Sequence, residues 1–365
     1  MLLLVIWLSV GAAVLIAGAE LLVRGASRLA LAFGISPLVV GLTVVAFGTS
    51  APELAVTVGA SYAGQPDLAL GNIVGSNIFN LLLVLGASAA VAPLIVQHQL
   101  VRLDVPLMIG VSLVMAGMSL DGRIDRIDGG FLFSGIIAYI SFLIWQSRRE
   151  PAAVQAEYEH AVEEKAPSRT RVPANLVLML AGLGMLVLGA RWLVAAASGI
   201  AQSLGVSELV IGLTIIAGGT SLPEVATSVI ASLRGERDIA VGNVIGSNIF
   251  NLLVVLGLGS LVAPNGIPVP PGALTFDIPV MIAASIGILP IFFSNFMIAR
   301  WEGFMLVGYY VAYTVFLVLE AAEHPALHEF GIAMRYFVFP LTAVTLAVVM
   351  VRGIRRARRN RPIEP

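Results

Sequence analysis

The chain has 365 residues, of which 58% are hydrophobic and only 12% are charged, with a formal net charge of −1 at pH 7. Soluble domains carry about 25% charged residues, so this composition indicates a polytopic membrane protein. The near-neutral charge argues against a nucleic-acid partner. The chain contains no cysteine, which excludes disulfides, cysteine metal sites and thiol chemistry.

Apolar segments long enough to cross a bilayer recur along the whole chain. A transmembrane helix needs about 20 mostly apolar residues, and the first such segment lacks the basic start of a cleaved signal peptide. We predict eleven spans, at residues 2–32, 37–62, 68–92, 103–119, 130–146, 173–203, 208–232, 239–262, 275–293, 302–320 and 334–351. The sequence therefore predicts an all-α polytopic membrane protein.

The polar segments predict how the chain is oriented in the membrane. Residues 147–172 form the longest polar stretch and carry five Lys and Arg residues, and the tail 352–365 carries six arginines. The positive-inside rule places both segments in the cytoplasm. Six predicted spans separate them, an even number, so the two assignments agree. The N-terminus is then outside, and the expected location is the plasma (inner) membrane.

One stretch of the chain occurs twice. Residues Gly41 to Gly86 match Gly212 to Gly257 at a constant offset of 171, with 29 of 46 positions identical and no gap. Weaker matches extend the duplicated unit to five spans. The predicted domains are therefore a first repeat at 1–146, a cytoplasmic linker at 147–172, a second repeat at 173–320, and an extra helix with a basic tail at 321–365. Because five is odd, the second repeat enters the membrane from the opposite side, as in many secondary transporters.

Each copy holds one carboxylate, Glu53 or Glu224, directly after a proline in the motif Gly-Thr-Ser-x-Pro-Glu. Proline cannot donate to the helix ladder and clashes with the preceding turn. We therefore predict a mid-span helix break that frees backbone carbonyls near Ala46 and Thr49. Unpaired carbonyls at membrane depth are tolerated only where they line a cavity or are buried in protein. Carbonyl, hydroxyl and carboxylate oxygens together suit hard cations such as Ca²⁺.

The second half of each copy adds further oxygen ligands. Ser76 and Asn80 are four residues apart and share one helix face, and Ser247 and Asn251 repeat the pair. A two-fold relation between the repeats would bring Glu53 and Glu224 together at midplane, where two carboxylates need a cation between them to stay charged. Two negative charges match one Ca²⁺ or two Na⁺, with neutral oxygens for a third. This predicts competition between the two ions.

The repeated GTS-x-PE and GN-x-x-GSN-x-x-N segments resemble the α-repeats of the Ca²⁺/cation antiporter superfamily, and most closely its prokaryotic sodium/calcium exchanger branch. The resemblance covers about residues 1–320. It implies ten core helices in two inverted halves, with Na⁺ and Ca²⁺ as transported ions, the lipid bilayer as environment, and neither a cofactor nor an obligatory protein partner. By position it implies ion binding by Thr49, Ser50, Glu53, Ser76, Asn80, Thr220, Ser221, Glu224, Ser247 and Asn251, and by the carbonyls of Ala46 and Ala217.

Alternative functions stay open at this point. Some members of the superfamily, including potassium-dependent exchangers, carry Asp where Asn251 stands, so the amide disfavours potassium coupling. A cation/proton antiporter could use the same scaffold, although that branch has an acidic residue near Val74 and Ile245. A cation channel would need a continuous filter, usually from several subunits. No nucleophile–base set or cofactor motif appears, so an enzyme is not expected.

Other polar residues in the spans have structural interpretations. Asp104 and Asp277 lie near span ends before a proline and are predicted to cap helices. Glu20 and Arg24 are four residues apart and are predicted either to form an ion pair or to extend towards the membrane interface. Four further asparagines are weaker ligand candidates, with packing hydrogen bonds as their expected role, namely Asn72, Asn77, Asn243 and Asn248. The long spans 2–32 and 173–203 are expected to lie tilted across the core and to slide during transport.

Overall fold

The computed structural model describes residues 1–147, 172–293 and 296–338, with positions 343 and 347. The first repeat contains α1 (Leu2–Phe33), α2 (Pro37–Thr49), α3 (Ala51–Tyr62), α4 (Leu68–Val91), α5 (Leu100–Asp121) and α6 (Arg126–Ser147). The second contains α7 (Val172–Ser203), α8 (208–219), α9 (Leu222–Leu233), α10 (Arg237–Val262), α11 (Ala273–Phe293) and α12 (Arg300–Ala321). A short helix, α13 (Ala326–Ala333), follows.

The predicted spans agree with these helices to within a few residues at their ends. Within the described part of the chain, eight helices are long and apolar enough to cross a membrane singly, and α2 with α3 forms a ninth span bent by 46°. The predicted span 208–232 consists of α8 and the shorter apolar helix α9. The predicted eleventh span begins in a π-helical turn at Met334–Val338 that continues α13. The rest of that span, the linker after Ser147 and the basic tail lie almost entirely outside the described residues.

The two repeats have the same sequence of elements, including their irregularities. A π-helical turn at Gly41–Val45 recurs at Gly212–Ile216, and one at Asn80–Val84 recurs at Asn251–Val255. Such turns widen the helix locally and are often found at functional sites. The second pair begins at the asparagines that the sequence predicts as ligands. The sequence did not predict these turns, because an ordinary apolar helix has the same composition.

Two short antiparallel strand pairs link one repeat to the other. Leu94–Ile95 (β1) pairs with Met297–Ile298 (β4), and Arg123–Ile124 (β2) pairs with Ile267–Pro268 (β3). In each pair, one strand follows the central motif of one repeat and the other joins the last two helices of the other repeat. A two-fold rotation that superposes one repeat on the other therefore places the β1–β4 pair on the β3–β2 pair.

The centre of the protein is formed by the helices that carry the second motif. The most apolar part of α10 is entirely buried and that of α4 is largely buried, whereas those of α1, α6 and α12 are mostly exposed on the protein surface. Helices buried on all sides must pack closely, and their small residues allow it. The polar residues of α4 and α10 therefore face protein and can contribute to an internal site.

Helices α1 and α7 form a separate, closely packed pair along one side of the core. A methyl group on Gly18 would lie 2.7 Å from the Leu186 backbone nitrogen, and one on Gly182 would lie 2.5 Å from that of Leu22. The same arrangement recurs further along the two helices, where a methyl group on Gly11 would lie 2.7 Å from the Leu193 backbone nitrogen and one on Gly189 would lie 2.5 Å from that of Leu15. Glycines in transmembrane helices allow the two backbones to approach each other. The backbones of α1 and α7 are therefore in close contact at two levels of the pair.

Candidate ion-binding site

The helix breaks predicted from the glycine–proline motif are present in both repeats. Ser50, between α2 and α3, has φ −81° and ψ 5°, and Ser221, between α8 and α9, has φ −91° and ψ 9°. These values lie outside the α-helical region. Pro52 and Pro223 stand in the first turns of the following helices, where a missing N–H leaves no bond unmade. Each glutamate thus sits in the first turn of a new helix.

The two breaks face each other, and each serine binds the glutamate of the other repeat. Ser50 Oγ donates to Glu224 Oε1 at 3.1 Å, and Ser221 Oγ donates to Glu53 Oε1 at 2.7 Å. Both carboxylates are fully buried. The crossed hydrogen bonds place the two acids side by side at the interface between the repeats. This pairing is the centre of the candidate site, and we call it the carboxylate pair.

Hydroxyl groups of the second motif extend the site around the carboxylate pair. Ser221 Oγ lies 3.1 Å from Ser76 Oγ, and Thr49 Oγ1 lies 3.4 Å from Ser247 Oγ. Each contact again joins residues of different repeats. Together with the crossed serine–glutamate bonds, these contacts connect seven of the predicted ligands: Thr49, Ser50, Glu53, Ser76, Ser221, Glu224 and Ser247.

Several oxygens at the site have no hydrogen-bond partner among the described residues. They are Glu53 Oε2, Glu224 Oε2, Asn80 Oδ1 and Asn251 Oδ1. A buried carboxylate oxygen without a partner is strongly unfavourable unless a cation or proton neutralises it. All four belong to residues predicted as ligands. Oxygen atoms are the ligands that Ca²⁺ prefers, so the unpartnered set has the chemistry of a cation site.

Three predicted ligands are not linked to the carboxylate pair by a direct contact. Asn80 and Asn251 are fully buried; Asn251 Nδ2 donates to Asn77 Oδ1 at 3.0 Å, which fixes its amide with the oxygen free. Ala217 is exposed on the protein surface. Thr220 Oγ1, by contrast, donates to Asn72 Oδ1 at 3.3 Å. Asn72 in turn donates to the Glu53 carbonyl at 3.1 Å.

The prediction that the helix break frees the Ala46 carbonyl is wrong. This oxygen accepts the Ser50 N–H at 3.0 Å and the Thr49 hydroxyl at 3.3 Å. The helical turn Ala46–Thr49 stays intact, because the chain changes direction only at Ser50. A hydroxyl hydrogen bond of this length is replaceable, so the Ala46 oxygen can bind an ion only if the Thr49 hydroxyl turns away.

The sequence underestimated two of the asparagines. Asn243, predicted to serve packing, accepts a hydrogen bond from Thr49 Oγ1 at 3.0 Å and donates to Ser228 Oγ at 2.9 Å. Asn72 makes the matching donation to Thr57 Oγ1 at 2.9 Å in the first repeat. Asn243 and Asn72 accept hydrogen bonds from Thr49 and Thr220, respectively, and thereby orient these threonines. Their duplication was the available signal, but only the fold shows which residues they contact.

The capping interpretation of Asp104 is also wrong. Asp104 makes no side-chain cap hydrogen bond and accepts the Tyr139 hydroxyl at 2.9 Å, and Asp277 has the matching contact, accepting the Tyr313 hydroxyl at 2.8 Å. Both aspartates end a π-helical turn, and both side chains bond a tyrosine on the neighbouring helix. These pairs lie apart from the carboxylate pair and connect α5 to α6 and α11 to α12.

Two structural repeats around a buried, oxygen-lined site are typical of a secondary transporter. The comparisons with known proteins agree. The family model described as sodium/calcium exchanger protein matches residues 3–146 and 174–319. The chain is 41% identical over 289 residues to the putative antiporter CaxA of Alkalimonas amylolytica, covering 79% of this chain and 89% of that protein. It is 31% identical over 341 residues to the sodium/calcium exchanger MaX1 of Methanosarcina acetivorans, covering 85% and 97%.

A solved structure gives the same result. The sodium-calcium exchanger NCX_Mj, soaked with 10 mM Na⁺ and 10 mM Sr²⁺, superposes with a TM-score of 0.73 at 32% identity, covering 85% of this chain and 97% of that one. The chain therefore belongs to the sodium/calcium exchanger family. The expectation from the motifs, a prokaryotic member of the Ca²⁺/cation antiporters, is confirmed.

Proposed function

We propose that this chain is an antiporter that exchanges Na⁺ for Ca²⁺ across the plasma membrane by alternating access. The observation that carries the proposal is the carboxylate pair, in which each glutamate is held by the serine of the other repeat. Two negative charges balance one Ca²⁺, and they also balance two Na⁺. The surrounding hydroxyl and amide oxygens can accept a further Na⁺, so the two ions compete for one site.

The ion ligands in this proposal have distinct roles. Glu53 and Glu224 supply charge, and the hydroxyls of Ser50 and Ser221 hold the carboxylates in position when the site is empty. When an ion binds, these hydroxyls can rotate and offer a lone pair instead, since a hydroxyl both donates and accepts. The remaining neutral ligands are Thr49, Ser76, Asn80, Thr220, Ser247 and Asn251, with the carbonyls of Ala46 and Ala217.

The access change in this proposal involves α1 and α7. Their backbones are in close contact at the glycines, and each flanks a helix break of the core. Sliding of this pair past the core would expose the carboxylate pair first to one side and then to the other. A bound cation is needed for the passage, because two uncompensated carboxylates would repel each other.

Transport by purified protein tests the proposal. Proteoliposomes loaded with Na⁺ should take up ⁴⁵Ca²⁺ when diluted into Na⁺-free medium, and uptake should fall when the Na⁺ gradient is removed. Gradients of K⁺ or H⁺ alone should not drive uptake, since one Ca²⁺ or two Na⁺ already balance the charges of Glu53 and Glu224. Uptake that follows the proton gradient instead would identify a cation/proton antiporter, and single-channel currents would identify a channel.

The paired asparagines provide a graded test of the site. Asn80→Ala or Asn251→Ala removes an uncharged oxygen, so each should reduce Na⁺-driven exchange more mildly than the loss of a glutamate. Initial rates at several Na⁺ concentrations measure the effect, which should be strongest at low Na⁺. Asn248→Ala provides a comparison on the helix of Asn251, because the Asn248 Nδ2 donates to the Val244 carbonyl of its own helix. Parental rates in both site variants would mean that these amides only pack helices.

The proposal includes an orientation, with the N-terminus outside and residues 147–172 and the tail in the cytoplasm. Because the chain has no cysteine, single labels can be introduced cleanly. Cysteines at Ser168 and Asn360 should react with an impermeant thiol reagent only after the cells are opened. A cysteine at Ala63, in the turn after α3, should react from outside. Labelling of Ser168→Cys or Asn360→Cys in intact cells would reverse the orientation.

A further inference from the structure

The two repeats match in sequence but differ in packing. A methyl group on Gly41 would lie 3.0 Å from the Ile239 carbonyl oxygen, because α2 packs against the start of α10. At the equivalent Gly212, on α8, a methyl group would meet nothing within 4 Å. Helix α8 meets α4 near its end, where a methyl group on Gly218 would lie 3.0 Å from the Phe79 ring. One of two equivalent helix junctions is thus closed, and the other is open.

Burial along the glutamate-bearing helices follows the same asymmetry. Ala226 on α9 is buried, whereas its equivalent on α3, Ala55, is exposed. Ile239 at the start of α10 has no exposed surface, and its equivalent Leu68 is 50% exposed. Helix α1 packs against α9, whereas α7 makes no comparable contact with α3 within the described chain. We call the two equivalent sides of the carboxylate pair its access routes: the side beside α9 is covered (closed) and the side beside α3 is uncovered (open), while both carboxylates are themselves buried.

Inverted-repeat transporters reach their second state when the two repeats exchange conformations. In that state the junction of α2 with α10 would open, and α1 would separate from α9. A contact that holds α1 to α9, and that cannot form between α7 and α3, would stabilise only the state described here. Residue identities at equivalent positions show whether such a contact exists.

Charged groups join α1 to the turn after α9. The Glu20 carboxylate contacts the Arg234 guanidinium and also pairs with Arg24, whose Nε lies 2.5 Å from Oε1. Two turns after Glu20 on α1, Ser27 Oγ donates to Glu236 Oε1 at 2.9 Å. The sequence predicted the pair within α1, and that pair is confirmed, but the partner on the second repeat was not predicted.

The other repeat cannot form this contact. The residues equivalent to Glu20 and Arg234 are Arg191 and Ala63, and the residue equivalent to Glu236 is Gln65. In the other repeat, the Arg191 guanidinium would face the Ala63 methyl group, whereas Glu20 and Arg234 carry opposite charges. Ser27 is matched by Ser198, whereas Arg24 is replaced by Ala195, so the second repeat lacks the charged groups of this contact.

We propose that the contact of Glu20 with Arg234, supported by Ser27 and Glu236, is a latch that keeps one access route to the carboxylate pair closed. This inference rests on the proposed alternating access but not on which ions are transported. The latch holds α1 against α9 in the described state and has no counterpart in the exchanged state. It therefore biases the resting transporter towards the state in which the route beside α3 is open.

Thiol labelling of single-cysteine variants tests the latch. Ala226→Cys reports the closed route and Ala55→Cys reports the open one. In purified protein, Glu20→Gln or Arg234→Gln should raise the labelling rate at Ala226→Cys about two- to five-fold, the range expected for loss of an exposed ion pair, and the double variant should add little to either. Raising the salt concentration should have the same effect on the Ala226→Cys protein without a latch substitution, since salt screens exposed charges.

Two controls make the result decisive. Arg191→Gln removes a charge at the equivalent place on α7 and should leave both labelling rates unchanged. Ala55→Cys should stay within about two-fold of its own rate in every latch variant. An unchanged rate at Ala226→Cys, an equal effect of Arg191→Gln, or a parallel rise at both reporters would overturn the latch. Because labelling requires no transport, it decides this point even if the chain fails to exchange Na⁺ for Ca²⁺.

Discussion

Glu53→Gln and Glu224→Gln should each nearly abolish Ca²⁺ transport while leaving expression intact. Each substitution keeps the shape of the side chain and removes one of two charges that face a divalent ion. At about 4 Å and an effective dielectric constant near 20, one unit-charge pair contributes about 4 kcal/mol before desolvation. A third of that energy weakens binding about tenfold. Calorimetric Ca²⁺ titration and ⁴⁵Ca²⁺ uptake by the purified variants measure the loss.

The symmetry of the site adds a stronger requirement. Each glutamate has the same crossed serine partner and the same complete burial, so the two variants should fail to similar degrees. Glu329→Gln is the matched control, because it removes one carboxylate from the exposed surface of α13 and should leave transport unchanged. Near-normal Ca²⁺ binding in either site variant would contradict a shared carboxylate pair.

Gly182→Ala should destabilise the protein, although alanine is the better helix former. In a helix interior, alanine is favoured over glycine by about 1 kcal/mol. At Gly182, however, the added methyl group would lie 2.5 Å from the Leu22 backbone nitrogen and 2.7 Å from the Gly18 carbonyl oxygen. Backbone atoms cannot move aside as a side chain can, so α1 and α7 must separate. Overpacking of this kind costs about 1–3 kcal/mol, which thermal unfolding in detergent would detect as a lower Tm.

The same helix provides the control for this prediction. Gly184, two residues away, is exposed and has nothing within 4 Å of the added methyl group. Gly184→Ala should therefore keep or slightly raise the Tm, following helix propensity alone. Opposite signs at the two positions would separate close helix packing from propensity. A Tm for Gly182→Ala equal to that of Gly184→Ala would show that α1 and α7 do not approach as closely as described.

The sequence by itself determined the class of the protein, the repeats and the position of the break. Apolar segments of spanning length can be read without a fold, because a bilayer requires about 20 such residues whatever the helices contact. The break at Ser50 followed from Pro52, since proline removes a hydrogen bond locally. Duplication of a lone glutamate identified Glu53 and Glu224, because an intramembrane carboxylate is retained only for a role.

Tertiary structure decided which groups meet. Ser50 binds Glu224, 174 positions away, rather than Glu53, three residues away. No local rule selects a partner in the other repeat. Asp104 bonds Tyr139, 35 positions along the chain, instead of capping its helix. Arg234 meets Glu20 only because α1 packs against α9 in this state. Local chemistry fixes where a chain bends, whereas the contacts of a buried polar group depend on how distant segments are brought together.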